Sequence, residues 1–234
     1  MNDSRFSNIL GEDYDLLKIV IPHHDEFQDK IGEVIKNYLS SLQTDTILAV
    51  DGGVGTGLTT TRILSADKRI KVIGIDNEEK TLNQARQILK EFGERIDLRK
   101  RDLLEAIEAT PSQSVDIFAS VWVIHNFQPS YRQILFSEIA RVLKIGGLFV
   151  SGDNYARDND SDHKKDLENR IREFTNFEKM GRIDLKTEWT KHCIEDEKIK
   201  ITEGEQMKIL RKLGFKDVSI QYRKEMEAII TGVR

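Results

Sequence analysis

The run Ile47-Leu48-Ala49-Val50-Asp51-Gly52-Gly53-Val54-Gly55-Thr56-Gly57 decides how this chain is read. Four apolar residues read as a short buried strand. Four glycines then fall within positions 52 to 57, and Leu58 followed by Thr59-Thr60-Thr61 opens a helix. Glycines reach positive φ without cost and let the backbone come close to a ligand. Three kinds of nucleotide loop compete for such a strand-loop-helix unit. A phosphate-binding P-loop needs Gly-Lys-Ser or Gly-Lys-Thr, and the first lysine after Gly57 is Lys68. The dinucleotide fingerprint Gly-x-Gly-x-x-Gly fails at Leu58, where its third glycine would stand. Asp51 beside the loop repels a pyrophosphate but suits a ligand that carries an ammonium group. The loop therefore points to an adenosyl amino acid rather than to NAD.

Outward from the loop, short apolar runs alternate with helical periods. Ile31, Val34, Ile35, Tyr38, Leu39 and Leu42 line one face of a helix before it. After it, Val72 to Ile75 reads as a second strand ending at Asp76, followed by a helix on Leu82, Ala85, Ile88 and Leu89. A third strand lies at Ile96 to Leu98. A fourth, Val115 to Val121, is nearly all apolar, as expected when both faces are covered. A helix through Leu135, Ile139, Val142 and Leu143 stops at Gly146-Gly147, and Leu148 to Ser151 gives a fifth strand. Such alternation predicts an α/β, doubly wound parallel sheet, with ligands at the carboxyl edge of the strands. After Tyr155 the segment 156–204 becomes rich in charge. Two amphipathic helices fit it, on Leu167, Ile171, Phe174 and Phe177 and on Leu185, Trp189 and Cys193. They read first as solvated helices with one apolar stripe each, and second as a cap over the strand edge. A helix at Gln206 to Leu213 and strands at Val218 to Tyr222 and Ala228 to Val233 close the chain. The expectation is one domain over 1–234, with N-terminal helices in 1–45.

Composition narrows the function. Lys and Arg total 36 against 40 Asp and Glu, a net charge of −4, so no basic field draws in nucleic acid. Cys193 stands alone, which excludes a disulfide framework or a cysteine-clustered zinc site. No apolar run approaches the roughly 20 residues that span a bilayer, and Met1 to Phe6 lacks the order of a secretory signal. A cytoplasmic protein with no membrane partner is expected.

The Asp-x-Gly-x-Gly-x-Gly loop, Asp76, Asp102 and the Leu143-Lys144-Ile145-Gly146-Gly147 turn together resemble class I S-adenosylmethionine-dependent methyltransferases of the small-molecule type. The resemblance covers residues 47 to 155, and the last two strands are similar to that family's terminal hairpin. It implies a seven-stranded Rossmann-like sheet of order 3-2-1-4-5-7-6 with the last strand antiparallel, S-adenosylmethionine as cofactor, and methyl transfer to an O or N atom of a small molecule. Gly52 departs from the family pattern, which favours an apolar residue there. The implied cofactor contacts are Asp51, Gly52, Gly53, Gly55 and Gly57 in the loop, and Asp76 with Asn77 for the ribose. Asp102 and Leu103 would meet the adenine, Ser120 and Val121 the methionine part. Tyr14 would close over the latter from a segment, Tyr14 to Phe27, similar to the N-terminal helix of small-molecule members. Residue type alone also leaves Asp102 as a helix N-cap.

Methyl transfer requires the acceptor to be held near the methyl carbon, and a hydroxyl or protonated amine benefits from a general base. His125, just past the fourth strand, is the candidate base, and the same place suits a packing role. Asp153, Asn154 and Tyr155 leave the fifth strand on the same edge. His23 and His24 read as surface residues, with reach into the pocket as the second reading. His163 and His192 fall in the charged insert and read as solvated. No His-x-x-x-His pair or cysteine pair is present, so no metal is expected. Two rivals remain. The Ile-Pro of the N-terminal segment and the insert also resemble the carboxy-S-adenosylmethionine synthase branch, which relies on an arginine to hold the added carboxylate. The other rival is a non-catalytic S-adenosylmethionine-binding protein. Oligomeric state is not legible.

Overall fold

The computed structural model describes residues 16–234. Its sheet has seven strands: β1 (Ile47–Gly52), β2 (Ile70–Asp76), β3 (Ile96–Lys100), β4 (Val115–Val121), β5 (Leu143–Asn154), β6 (Lys216–Lys224) and β7 (Glu227–Val233), in the order β3-β2-β1-β4-β5-β7-β6. β1 to β5 pair in parallel, and β7 runs antiparallel to both β5 and β6. The expected topology is thus observed strand for strand. The first helices are α1 (Leu17–Val20), α2 (His24–Leu39), α3 (Leu58–Ala66), α4 (Glu79–Ile88), α5 (Leu103–Glu108) and α6 (Pro129–Val142). They are followed by α7 (Asp160–Glu173), α8 (Thr175–Lys179), α9 (Ile183–Asp196) and α10 (Glu203–Lys212). None of the described helices is long and apolar enough to cross a membrane.

Strand residues alternate between faces, and the two cores follow that alternation. Ile47, Ala49, Ile117, Ala119 and Leu148 pack with Ile31 and Ile35 of α2 and Ile63 of α3. Val50, Phe118 and Phe149 pack on the other side with Leu135 and Ile139 of α6 and Leu210 of α10. Both faces of the central strands are covered, so all their functional groups emerge at the carboxyl ends.

β5 is longer than the sequence suggests. It begins at Leu143, directly after α6, because the Gly146-Gly147 pair forms a bulge rather than a stop. Pairing with β4 jumps from Val115↔Leu143 to Ile117↔Leu148, and Gly146 takes φ +85°. The segment 156–204 also departs from two solvated helices. Phe174, Phe177, Leu185 and Trp189 are buried in the same core as Leu17 and Val20 of α1. On α7 the inward residues are the polar His163, Asp166 and Arg170, while Leu167 and Ile171 stay half-buried. Arg170 turns inward because Glu227, at the start of β7, offers it a fully buried carboxylate.

Candidate active site

The glycine loop is fastened to the end of β2. Gly53 and Val54 donate their amides to the carbonyl of Ile75 at 2.8 and 3.1 Å, and the Gly55 amide donates to Asp76 Oδ2 at 2.7 Å. Asp76 Oδ1 accepts from the Glu78 amide at 2.9 Å. Gly53 has φ +87°, and a Cβ there would stand 2.2 Å from Val123 Cγ2, so only glycine fits. Gly55 has φ +52° with nothing within 4 Å of a Cβ, so its outer side is open. Burial raises the pKa of Asp76, and the amides of Glu78, Gly55 and Asn77 oppose that shift. An ionised carboxylate has about four acceptor positions, so capacity for a ligand hydroxyl remains.

Beside the loop lies a cleft of about 1170 Å³, counted to its open mouth. Asp76, Asn77, Asp102 and Leu103 line it together with Gly53 and Gly55, and Val121 reaches it from the end of β4. Asp102 is the helix cap that the residue type allowed, and it also stands on the cleft. It caps α5, with Oδ1 accepting from the Glu105 amide at 3.2 Å and from the Tyr131 hydroxyl at 3.0 Å, and it lines the cleft. His24, Gln28, Trp122, Asn126 and Phe127 also line the cleft. Trp122, at φ +56°, stacks on His24 and Phe27 with ring centroids 5.0 and 5.1 Å apart.

Other expected residues stand behind the cleft rather than on it. Asp51 is fully buried. Its Oδ2 accepts from the Thr60 hydroxyl at 2.5 Å, and Oδ1 has no hydrogen-bond partner among the described residues. Burial pushes its pKa up to about 7, against the pull of the Thr60 bond. Gly52 belongs to β1 and packs beneath Leu103 and Phe118, and the Ser120 hydroxyl donates to the Gly52 carbonyl at 2.8 Å. Gly57, at φ +93°, starts α3 against Leu89. These four shape the loop from below. Tyr14 lies outside the described residues.

The histidines differ most from expectation. His23 and His24 are both buried, His23 against Glu227 Oε2 at 3.1 Å and His24 in the cleft wall with Nδ1 3.0 Å from Asp25 Oδ1. His163 is buried against Glu197, and His192 lies 3.3 Å from Asp196 Oδ2. The charged insert folds its carboxylates onto these rings, which removes them from solvent. His125 does not line the cleft. Its Nδ1 makes a short hydrogen bond to Asp153 Oδ1, and Nε2 lies 3.9 Å from Asp196 Oδ2. Asp153 and Tyr155 are buried away from the cleft, Tyr155 donating to the Ser151 hydroxyl at 2.7 Å. Gln28, Asn126 and Arg101 line the cleft without having been singled out in the sequence. The i, i+4 spacing of His24 and Gln28, which sets both on one side of α2, was the available signal for the first of these.

A strand-order 3-2-1-4-5-7-6 sheet, a glycine loop tied to an acidic strand end, and a second acidic residue after the next strand are the features of the class I S-adenosylmethionine-dependent methyltransferase fold. Residues 49–147 match the family model described as a methyltransferase domain. S-adenosylmethionine is the cofactor of this enzyme class. Over longer spans the chain is similar to carboxy-S-adenosyl-L-methionine synthases. That of Nautilia profundicola is 24% identical over 210 residues, 89% of this chain and 85% of that one. That of Sulfurimonas denitrificans is 26% identical over 239 residues, 95% of each. In fold it resembles an O-methyltransferase family protein from Burkholderia thailandensis, with a TM-score of 0.67 and 13% identity. That match covers all of this chain and 63% of that one, so the chain spans less than two thirds of that protein's length. The cleft fits the cofactor on its own terms: the open side of Gly55, the spare acceptor capacity of Asp76 and the apolar Leu103 and Val121 offer a cradle for a nucleoside.

Proposed function

We propose that this protein transfers the methyl group of S-adenosylmethionine to an O or N atom of a small molecule held against the His24–Trp122 wall. The observation that carries the reading is the continuity of one cleft from Asp76 and Asp102 at one side to His24, Trp122 and Asn126 at the other. The bound cofactor supplies an electrophilic methyl on a sulfonium. The chain supplies position. Asp76, Asn77 and Asp102 orient the nucleoside, the Gly53–Gly55 backbone permits close approach, and the stacked Trp122 and His24 exclude water from the far side. His24 takes the base role that the sequence reading gave to His125. With ionised Asp25 accepting at Nδ1, the neutral ring keeps its lone pair on Nε2, the form that can receive an acceptor proton. Net charge and the enclosed aromatic wall favour a metabolite over a nucleic acid.

A second reading, synthesis of a carboxylated cofactor, is favoured by the names of the curated relatives, which match along most of this chain. Among the described residues that line the cleft, Arg101 is the only arginine or lysine, and it stands beside Asp102 at the nucleoside side. Arg170, the buried arginine of the insert, is committed to Glu227. Among the described residues no arginine is thus placed for an added carboxylate at the methionine side, which favours methyl transfer.

Calorimetric titration with S-adenosylmethionine, S-adenosylhomocysteine and NAD comes first, followed by mass spectrometry of reactions with small hydroxylated and aminated acceptors. Methyl transfer reads out as S-adenosylhomocysteine with a methylated product. A carboxylated cofactor formed from an α-keto acid donor favours the second reading. Cofactor binding without either product across the panel would overturn both and leave a binding protein.

A further inference from the structure

The sequence carries no metal motif, yet the fold brings three ligand-type side chains together where the insert meets the sheet. His125 comes from the short turn after β4, and His192 and Asp196 come from one face of α9 at i, i+4 spacing. One nitrogen of each ring and one oxygen of Asp196 all lie within 4.8 Å of one another. Asp196 Oδ2 stands 3.3 Å from His192 Nε2 and 3.9 Å from His125 Nε2. Ligand atoms about 2.0–2.2 Å from a tetrahedral zinc stand about 3.3–3.5 Å apart, so side-chain movements of about an ångström would bring these three onto one ion.

The surroundings point the same way. Asp153 accepts from Nδ1 of His125, which in the neutral ring leaves the lone pair on Nε2, facing Asp196. A carboxylate behind a histidine whose other nitrogen faces outward is the usual support of a metal-bound imidazole. Both rings are buried, and Trp189 holds His192 edge-on at 5.5 Å between ring centroids. Two carboxylates, Asp153 and Asp196, balance a doubly charged ion.

We propose that His125, His192 and Asp196 bind one divalent transition metal of the zinc type, with Asp153 fixing His125 from behind. The donor set is two imidazoles and one carboxylate, which leaves a position open for water or another ligand. The ion would clasp α9 to the turn that carries Asn126 into the cleft wall. This site stands independently of the acceptor chemistry proposed above, and its test involves no turnover.

The full chain, stripped with chelator and dialysed, is titrated with ZnCl2 by calorimetry and with CoCl2 by visible absorption. One equivalent is expected, with the d–d bands of a four- or five-coordinate cobalt site and a rise in melting temperature. His192→Ala and Asp196→Asn each lower affinity at least 100-fold, and Asp153→Asn lowers it about 10- to 100-fold. Circular dichroism and S-adenosylhomocysteine affinity report whether each variant is folded. If a variant does not fold, the stoichiometry and cobalt spectrum of the wild-type chain decide alone. Sub-stoichiometric binding, an octahedral aquo-like cobalt spectrum, or binding that survives the His192→Ala/Asp196→Asn double change would overturn the site.

Discussion

Asp153 holds His125 twice: Oδ1 takes the ring Nδ1 in a short hydrogen bond, and Oδ2 accepts the His125 backbone amide at 3.1 Å. The ring therefore cannot swing into the cleft without breaking a buried charge-assisted contact. His125→Ala should leave S-adenosylhomocysteine affinity within about threefold of wild type, since no cleft contact is lost. Asp76→Ala, which removes a charged acceptor from the cleft itself, should weaken it about 10- to 100-fold. Parallel calorimetry of the two variants checks this. In thermal unfolding, the His125→Ala/Asp153→Asn pair should cost less than the sum of its members, because His125→Ala alone strands a buried carboxylate.

The two cleft glycines should fail differently. Gly53→Ala drives a methyl to 2.2 Å from Val123 Cγ2 at φ +87° and should cost roughly 2–5 kcal/mol of stability. Val123→Ala in the same chain should restore part of it. Gly55→Ala meets no atom within 4 Å, so its cost should be the left-handed conformation alone, about 1–2 kcal/mol. Its main effect should be on cofactor affinity, because the added methyl projects where a ligand lies. Melting curves with and without S-adenosylhomocysteine separate the two.

Asp51 makes the fold pH-sensitive. Its pKa rises from 3.8 to about 7 on folding, so between those values the folded chain keeps a proton that the unfolded chain releases. Stability from this group is whole below pH 4, declines as pH rises through the window, and levels off above about 7. The full span is on the order of 4 kcal/mol. Asp51→Asn should flatten the fall in melting temperature between pH 5 and 8 and be the more stable form at pH 8. A slope unchanged by the substitution would refute this.

Glu227 behaves oppositely. Burial alone would raise its pKa, but Arg170 and His23 outweigh that and hold it at about 2. Its stabilisation is present above pH 4.5 and is lost as pH falls through about 2. Glu227→Gln leaves the Arg170 guanidinium buried without its charge partner and should cost about 3–5 kcal/mol. Arg170→Met/Glu227→Gln should recover much of this, as measured by denaturant unfolding at neutral pH.

How legible all this was depends on the range of the interactions concerned. The alternating sheet followed from periodicity and its strand order from the resemblance, and Asp76, Asn77, Asp102, Leu103 and Val121 all stand on the cleft. Those positions are set locally, by strand ends and helix starts. Asp51, Gly52 and Ser120 sit in the same local pattern, but they lie within β1 and β4, whose two faces are both covered, a detail the motif does not encode. Four of the five described histidines, His23, His24, His163 and His192, are buried where exposed or solvated positions were expected. Three of the five find a carboxylate far along the chain, Glu227 for His23, Asp153 for His125 and Glu197 for His163, whereas His24 and His192 pair locally with Asp25 and Asp196. A charge-rich stretch looks solvated until its partners are placed. Gly146-Gly147 misled in the other direction, since a bulge and a helix stop use the same residues.

The shared core of α1 with Phe174, Phe177, Leu185 and Trp189 has a kinetic consequence. His23 at the start of α2 and Arg170 on α7 both grip Glu227, so the N-terminal helices and the insert are bolted to one point of the sheet. Neither can swing aside alone. Traffic in and out of the cleft must either pass the open mouth beside Gly55 or lift both elements as a single shutter, and amide exchange in α1, α7 and α9 should then rise and fall together.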